Sequence, residues 1–333
     1  VSTDHELDPT TTTAALAQAA RTAGYAPSIH NTQPWRWRVR ARSLELRAER
    51  GRQLAVTDPS GRLLTVSCGT ALHHVRLALA AEGWAAEVYR LPDGADPDLL
   101  ARLTLTGRTE VTPAAMRLLQ TVRIRRTDRR PVSESPVSGT ALEGIRHAVT
   151  AEGARVHYLR PEDVVELASA ADHARTVEAM DPTWTDEMSY WIGLPREDGL
   201  GVPAAAIPSE PPSTMVPNRD FGHGGALPVG PSHDRAAVYA ILYGDADSAM
   251  GWLRGGEALS AAWLSAIELD LTLLPLSAAV EVPGTRQALR RILSGVGEPY
   301  LVLRLGAADP EHAGPPHTPR LPADQVVEIV DRG

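Results

Sequence analysis

Apolar residues first recur at helical spacing over Thr12–Thr22. There Leu16, Ala19 and Ala20 share a face, Thr10 or Thr11 can cap the start, and Gly24 ends the run. The period then switches to two: Trp35-Arg36-Trp37-Arg38-Val39-Arg40 alternates as a half-buried strand does, with Trp35 and Trp37 facing the core. Short strands are predicted at Leu44–Leu46 and Leu54–Val56, and a turn at Asp58-Pro59-Ser60-Gly61. A long helix from Cys68 to Glu82 buries Leu72, Val75 and Leu79 and stops at Gly83, and strands near Ala86–Arg90 and Leu103–Thr106 follow.

The second half repeats this order. Gly69-Thr70-Ala71-Leu72 aligns with Gly256-Glu257-Ala258-Leu259, and the match runs without a gap to Gly83 and Asp270. A helix over Thr140–Thr150 followed by Gly153-Ala154-Arg155-Val156-His157-Tyr158 parallels Thr13–Gly24 and its strand, and Tyr300–Gly306 parallels Ala101–Gly107. Three matches in one order predict an internal duplication, with halves at 1–118 and 119–333. The repeat is imperfect. The irregular stretch Pro27–Trp35 has no counterpart before Val156, and the second half carries an extra Pro- and Gly-rich segment, about 181–231, with Trp184, Trp191 and the single Phe, Phe221. A loop that long is read as a lid.

Composition narrows the chemistry. The 333 residues carry 33 basic and 41 acidic side chains, a net −8 that argues against a nucleic-acid or anionic-membrane partner. Every basic residue is Arg. Lysine chemistry is therefore excluded, and a bound phosphate must be held by guanidiniums, helix N-termini or backbone N–H groups. Cys68 is the single cysteine, so there is no intramolecular disulfide, and it is read as a structural residue at a helix start. With no run of 18 apolar residues and no signal-like start, the expected location is the cytoplasm, away from membranes.

Two stretches carry candidate chemistry. Arg123-Ile124-Arg125-Arg126-Thr127-Asp128-Arg129-Arg130 concentrates five arginines in an acidic chain, which suits either a phosphate cradle or a solvated linker. Along Pro27–Trp35, Ser28, Asn31 and Gln33 present donors and acceptors that can read the edge of a planar heterocycle, or can satisfy the loop's own backbone.

The ten residues Ala26-Pro27-Ser28-Ile29-His30-Asn31-Thr32-Gln33-Pro34-Trp35 resemble the flavin-contacting motif of the nitroreductase superfamily, and Arg125-Arg126-Thr127-Asp128-Arg129 resembles its Arg-x-Ser-x-basic motif. Ordinary members place the basic motif first and dimerise, each FMN site drawing one motif from each subunit. Here the order is inverted and the chain is long, as in the Acg-like branch, where one chain resembles a fused dimer. The resemblance implies an α+β fold of two pseudo-repeats, each a mixed, mainly antiparallel sheet flanked by helices, with the long helices at a pseudo-two-fold axis. It implies one FMN between the halves. The first half keeps the loop but has no arginine in Val1–Thr13, whereas the second keeps the basic motif and has lost the loop.

By position, the resemblance assigns Arg125, Arg126 and Thr127 to the phosphate or ribityl end and Arg129 to the ring's N1/O2 edge, where a cation favours reduced flavin. Ser28 and Asn31 would touch the ring or ribityl chain, Pro27 and Ile29 would pack beside it, and Gln33 would contact it or serve the loop. Pro275, Leu276 and Ser277 stand at the family's Pro-x-Glu-Gly stretch near flavin N5, with Ser277 in place of Glu. Arg320 matches the second residue of a basic-x-Arg phosphate motif whose first residue is here Thr318. No side chain is assigned to the chemical step, which the flavin carries. The implied activity is two-electron transfer from NAD(P)H to a small acceptor such as a nitro compound or quinone, by a monomeric pseudo-dimer or a homodimer. A flavin-sequestering protein with its lid closed and an FMN-dependent biosynthetic dehydrogenase are the alternatives. No Rossmann fingerprint is present and none is needed if nicotinamide stacks on the flavin.

Other motifs are weaker. His73 and His74 are adjacent, point to different sides of a helix, and are expected at the surface or an interface rather than on a metal. Asp220-Phe221-Gly222 spells a kinase tripeptide, which fails for want of a lysine. His223, Trp184 and Trp191 could reach flavin or substrate from the lid.

Overall fold

The computed structural model describes residues 8–193, 198–219, 225–230, 233–308 and 314–330. Helix α1 (Pro9–Ala23) is followed by β1 (Trp35–Arg40), β2 (Ser43–Ala48), α2 (Arg62–Ala81), β3 (Trp84–Arg90) and β4 (Leu99–Arg108). Helix α3 (Pro113–Ile124) spans the 118/119 boundary drawn from sequence. Then come α4 (Gly139–Ala151), β5 (Arg155–Tyr158), α5 (Pro161–Ala179), α6 (Pro182–Trp191), β6 (Val238–Gly244) and α7 (Ala249–Glu268). The chain closes with β7 (Leu271–Leu276), α8 (Ala278–Glu281), α9 (Pro283–Ile292), β8 (Glu298–Ala307), α10 (Ala323–Val326) and β9 (Val327–Ile329).

Local chemistry moves two predicted boundaries. The carboxylate of Asp8 accepts from Thr11 N at 2.8 Å, so α1 starts at Pro9 and Thr10 and Thr11 lie inside it. Asp58 Oδ2 accepts from Leu64 N at 2.8 Å and Gly61 takes φ +70°, which starts α2 at Arg62 rather than at Cys68. The strand predicted at Leu54–Val56 is not one. Its backbone N–H groups at Val56 and Thr57 bond the Glu187 carboxylate of α6 (3.0 and 2.9 Å), and Leu54 packs into the lid's own small core with Met188, Trp191 and Ile207.

The fold is α+β, with two mainly antiparallel sheets. Their orders are β3-β4-β2-β1-β9 and β5-β6-β8-β7. Read from the other edge, the second is β7-β8-β6-β5, the same topology as β3-β4-β2-β1. β9 joins β1 in parallel, carrying the C-terminal segment onto the first half's sheet. Between the sheets α2 and α7 cross in close contact. A Cβ on Gly69 would lie 2.1 Å from Leu253 O, and one on Gly256 would lie 1.9 Å from Val66 O, so only glycine allows this approach. The two glycines aligned in sequence are thus opposed in space.

α2 is long and apolar enough to cross a membrane by length and composition, and most of its residues are buried in the protein. This burial rules out the surface for His73 and His74 and leaves the interface expected as its alternative. His73 is nearly enclosed, its Nδ1 2.9 Å from Ser260 Oγ on α7, and His74 is wholly enclosed with both ring nitrogens unpaired. Burial holds both imidazoles below their usual range, His73 at about 4. Cys68 is buried against Pro34 O at 3.2 Å, and burial pushes its thiol far up.

Candidate functional site

Between the two halves lies a cavity of about 460 Å³, within the roughly 300–1,000 Å³ usual for small-molecule sites. Pro27, Ser28, Ile29 and Asn31 line it, as do Arg125, Thr127, Arg129, Pro275, Leu276, Ser277 and Arg320. Gln33 and Arg126 do not. Gln33 is buried behind the loop, donating from Nε2 to Gly199 O (2.8 Å) and accepting at Oε1 from Leu321 N (3.0 Å). Arg126 turns outward to His317 Nε2 (3.2 Å) and Gly314 O (3.4 Å). Both serve the surrounding frame.

The loop is strained and tied. His30, Asn31 and Gln33 all have positive φ (43°, 56° and 47°), a conformation costing about 1–2 kcal/mol per non-glycine residue. Local bonds hold it: Ser28 Oγ accepts from Gln33 N at 2.9 Å, and Ser67 Oγ of α2 accepts from Ile29 N at 3.1 Å. Thr70, also on α2, donates to Pro27 O at 2.6 Å. Asn31 spends its amide on the frame as well. Its Nδ2 donates to Gly199 O, Gly201 O and Pro319 O (3.2, 3.0 and 3.0 Å), and its Oδ1 accepts from Arg320 (3.1 Å). Asn31 therefore stands in the wall while fastening the root of the lid and the C-terminal segment to the loop.

The arginine motif is positioned by two residues that sequence reasoning missed. Arg304 on β8 is fully buried, pairs with Asp234 at 2.9 Å and donates to Arg130 O, while Asp234 accepts from Val132 N at 2.7 Å. This buried pair sets the course of residues 128–132. An isolated Asp and an Arg on a strand carry no local signal of such a role.

Arg125 and Arg320 define the site's electrostatics. The Arg125 side chain is buried and that of Arg320 half-buried, and each donates to Tyr25 O at 3.4 Å. No ion pair joins either to a carboxylate among the described residues. Arg125 Nε and Nη1 and Arg320 Nε are enclosed without a hydrogen-bond partner, and Arg125 lies 4.6 Å over the Trp263 ring of α7. Burial, and then the neighbouring Arg320, pull Arg125 down to about 9; burial pulls Arg320 to about 10. Both remain cationic at neutral pH. Arg129 donates to Ala206 O at 3.0 Å, and burial lowers it to about 10.

The lid supplies the remaining wall. Arg219 is enclosed between Glu281 (2.7 Å) and Glu178 (3.3 Å), with His30 Nε2 at 3.3 Å and the Trp184 ring at 5.1 Å. Trp184 and Trp191 do not line the cavity; they belong to the lid's own core, because the short segment needs large side chains to bury anything. Phe221, His223 and the Asp220-Phe221-Gly222 tripeptide lie outside the described residues.

No family model matches the chain. Curated relatives do. The protein is 39% identical to Mycobacterium tuberculosis "Putative NAD(P)H nitroreductase Rv3131", over 97% of this chain and 93% of that one. It is 32% identical to "Putative NAD(P)H nitroreductase acg" of the same organism, over 97% and 98%. The chain belongs to the nitroreductase superfamily, in its Acg-like branch. Among solved structures, an FMN- and NADPH-dependent nitroreductase, NfnB of a Sphingopyxis strain, aligns at 15% identity with TM-score 0.41, over 65% of this chain and 98% of that one. An FMN-bound nitroreductase of Bacteroides fragilis aligns at 13% with TM-score 0.38, over 60% and 93%.

Proposed function

We propose that the protein is an FMN-dependent oxidoreductase that holds one FMN per chain between its halves and passes two electrons from NAD(P)H to a small acceptor such as a nitro compound or quinone. The carrying observation is the pair Arg125 and Arg320, set together with enclosed, unpaired N–H groups and no acidic partner among the described residues. Like charges enclosed this way favour a dianion that fills the unmet donors, and a phosphate does so bidentately. The residues fit a flavin mononucleotide. Arg125, Thr127 and Arg320 would hold its phosphate end, with Pro27, Ile29 and the Pro275–Ser277 stretch walling the ring. When bound, FMN supplies two-electron exchange with the nicotinamide and then with the acceptor.

The stoichiometry is supported by what stands opposite. Thr70, in the cavity wall, aligns with Glu257 on α7. Glu257 is fully buried and paired with Arg90 (2.7 Å) and Arg76 (2.8 Å), and Arg76 also meets Glu152. The place related to the cavity is thus occupied by a satisfied ion network, and no loop of the Pro27–Trp35 kind precedes β5.

A second reading, flavin sequestration, is favoured by one feature. The lid is fastened by Arg219 to Glu178 and Glu281 and by Glu187 to the backbone of Val56 and Thr57, over a cavity it helps to line. An anaerobic titration of FMN-loaded protein with NADPH, then NADH, separates the readings. Bleaching of the flavin's visible absorbance is the expected result. Resistance to both nicotinamides with normal dithionite reduction would favour sequestration.

A further inference from the structure

The cavity wall has two origins. One part comes from the loop, α2, α7, the arginine motif and the end of β7. The other comes from α5 and residues 202–219, all of it chain inserted between β5 and β6, where β1 and β2 of the first half are joined by a tight turn. This inserted wall is mostly apolar, with Leu167, Ala171, Ile207, Val216 and several prolines. Asn218 stands apart from the polar residues of the same wall, Arg175, Ser209, Glu210 and Arg219. Its Oδ1 and Nδ2 are both shielded from solvent, neither has a hydrogen-bond partner, and the residue lines the cavity.

Asn218 is also held in place. Val216 N donates to Tyr239 OH at 3.4 Å on one side, Pro217 fixes the backbone between, and Arg219 is clamped by its two carboxylates on the other. Arg219 meets Glu281 of α8, which follows Ser277 directly, and so ties Asn218's neighbour to the stretch read above as walling the ring. A buried carboxamide with an unused donor beside an unused acceptor is left in deficit unless a ligand supplies the complement. That complement is an amide edge, an N–H and a C=O side by side.

We propose that Asn218 is a specificity-determining residue by which the lid recognises a neutral amide edge on the molecule that enters beside the cofactor. This assignment rests on the FMN reading of the cavity. The edge could belong to the carboxamide of a nicotinamide donor or to a lactam or imide acceptor. Asn218 itself adds no charge to the selection. An ester of the same shape has the acceptor and lacks the donor, and a site built to bond an N–H discriminates against such an analogue.

The test uses the FMN-loaded full chain and calorimetric or flavin-absorbance titrations with four probes: nicotinamide, methyl nicotinate, 2-piperidone and δ-valerolactone. Flavin retention by the wild type is scored first, and its failure would count against the FMN reading alone. Given a loaded protein, at least one amide should bind about tenfold or more tighter than its ester. Preference for nicotinamide would identify the donor as the source, and preference for the lactam would identify the acceptor. Asn218→Leu should abolish the preference while retaining FMN. Equal binding of amides and esters by the wild type would overturn the proposal. So would an Asn218→Leu variant that keeps the preference, or one that loses FMN, which would make Asn218 a cofactor contact.

Discussion

Arg125 and Arg320, drawn from the junction of the halves and from the C-terminal segment, converge on a single acceptor, the carbonyl of Tyr25, at 3.4 Å each. Arg320 also donates to Asn31 Oδ1 and to the Thr318 and Pro319 carbonyls, whereas Arg125 has this one weak acceptor, so a buried guanidinium stands prepared for an anion, and that preparation has a stability consequence. Removing one charge from the flavin-free protein relieves both its desolvation and its repulsion. Arg125→Met is expected to leave the flavin-free fold as stable as wild type or to raise its melting temperature by a few degrees, while weakening FMN binding. Differential scanning calorimetry of the flavin-free proteins checks this; a marked fall in melting temperature would assign Arg125 a structural role.

Asn31 predicts the opposite pattern. Its side chain makes four hydrogen bonds to the lid root, the Pro319 carbonyl and Arg320. It also adopts a left-handed backbone that asparagine tolerates better than alanine. Asn31→Ala should destabilise the flavin-free protein by about 2–4 kcal/mol, at about 1 kcal/mol per bond. Ser28→Ala, which removes one bond, should lose about 1 kcal/mol. Urea unfolding followed by far-UV circular dichroism measures both.

The glycine contact between α2 and α7 admits no methyl. Gly69→Ala and Gly256→Ala each drive a Cβ to about 2 Å from a backbone carbonyl oxygen of the facing helix. Helices forced apart lose packing along their length, and each variant should lose about 3 kcal/mol or more, or fail to accumulate in the folded state. A Gly284→Ala control, where a Cβ meets nothing within 4 Å, should change stability by less than about 0.5 kcal/mol.

The stability of the fold should fall with rising pH. Burial raises the Glu178 carboxyl to about 7 against the pull of Arg219, with Glu281 adding to the rise, and burial raises Asp58 to about 6. A carboxyl raised in the folded state favours the fold at low pH and loses that contribution as pH climbs through its folded value. His30, His73 and His74, held neutral by burial, act oppositely below about 6.5, so the Glu178 effect is read above that. The urea midpoint should fall between about pH 6.5 and pH 8.5, and Glu178→Gln should flatten the slope. An unchanged slope in the variant would remove Glu178 as the cause.

Much of the site was legible because its motifs are local. Pro27–Trp35 and Arg125–Arg129 are contiguous, and the repeat that aligns Gly69 with Gly256 is readable from sequence, although their opposition in space is not. What stayed hidden depends on distant partners. Nothing in the residues around Gln33 says that its amide faces the lid root, or that Arg126 turns outward beside Arg125. From sequence His73 and His74 fit either the surface or an interface, and only the enclosure of α2 along most of its length decides between them. Arg219 and Asn218 sit in a Pro-rich stretch without periodicity, where only the folded chain reveals which side chains face inward.

The most direct test of the account is a titration of flavin-free protein with FMN and, separately, with riboflavin, which has the same ring and no phosphate. FMN should bind at one per chain and at least about 100-fold tighter than riboflavin, and Arg125→Met and Arg320→Met should each remove most of that difference. Equal affinity for the two flavins, or a preference for FMN that survives both substitutions, would contradict it.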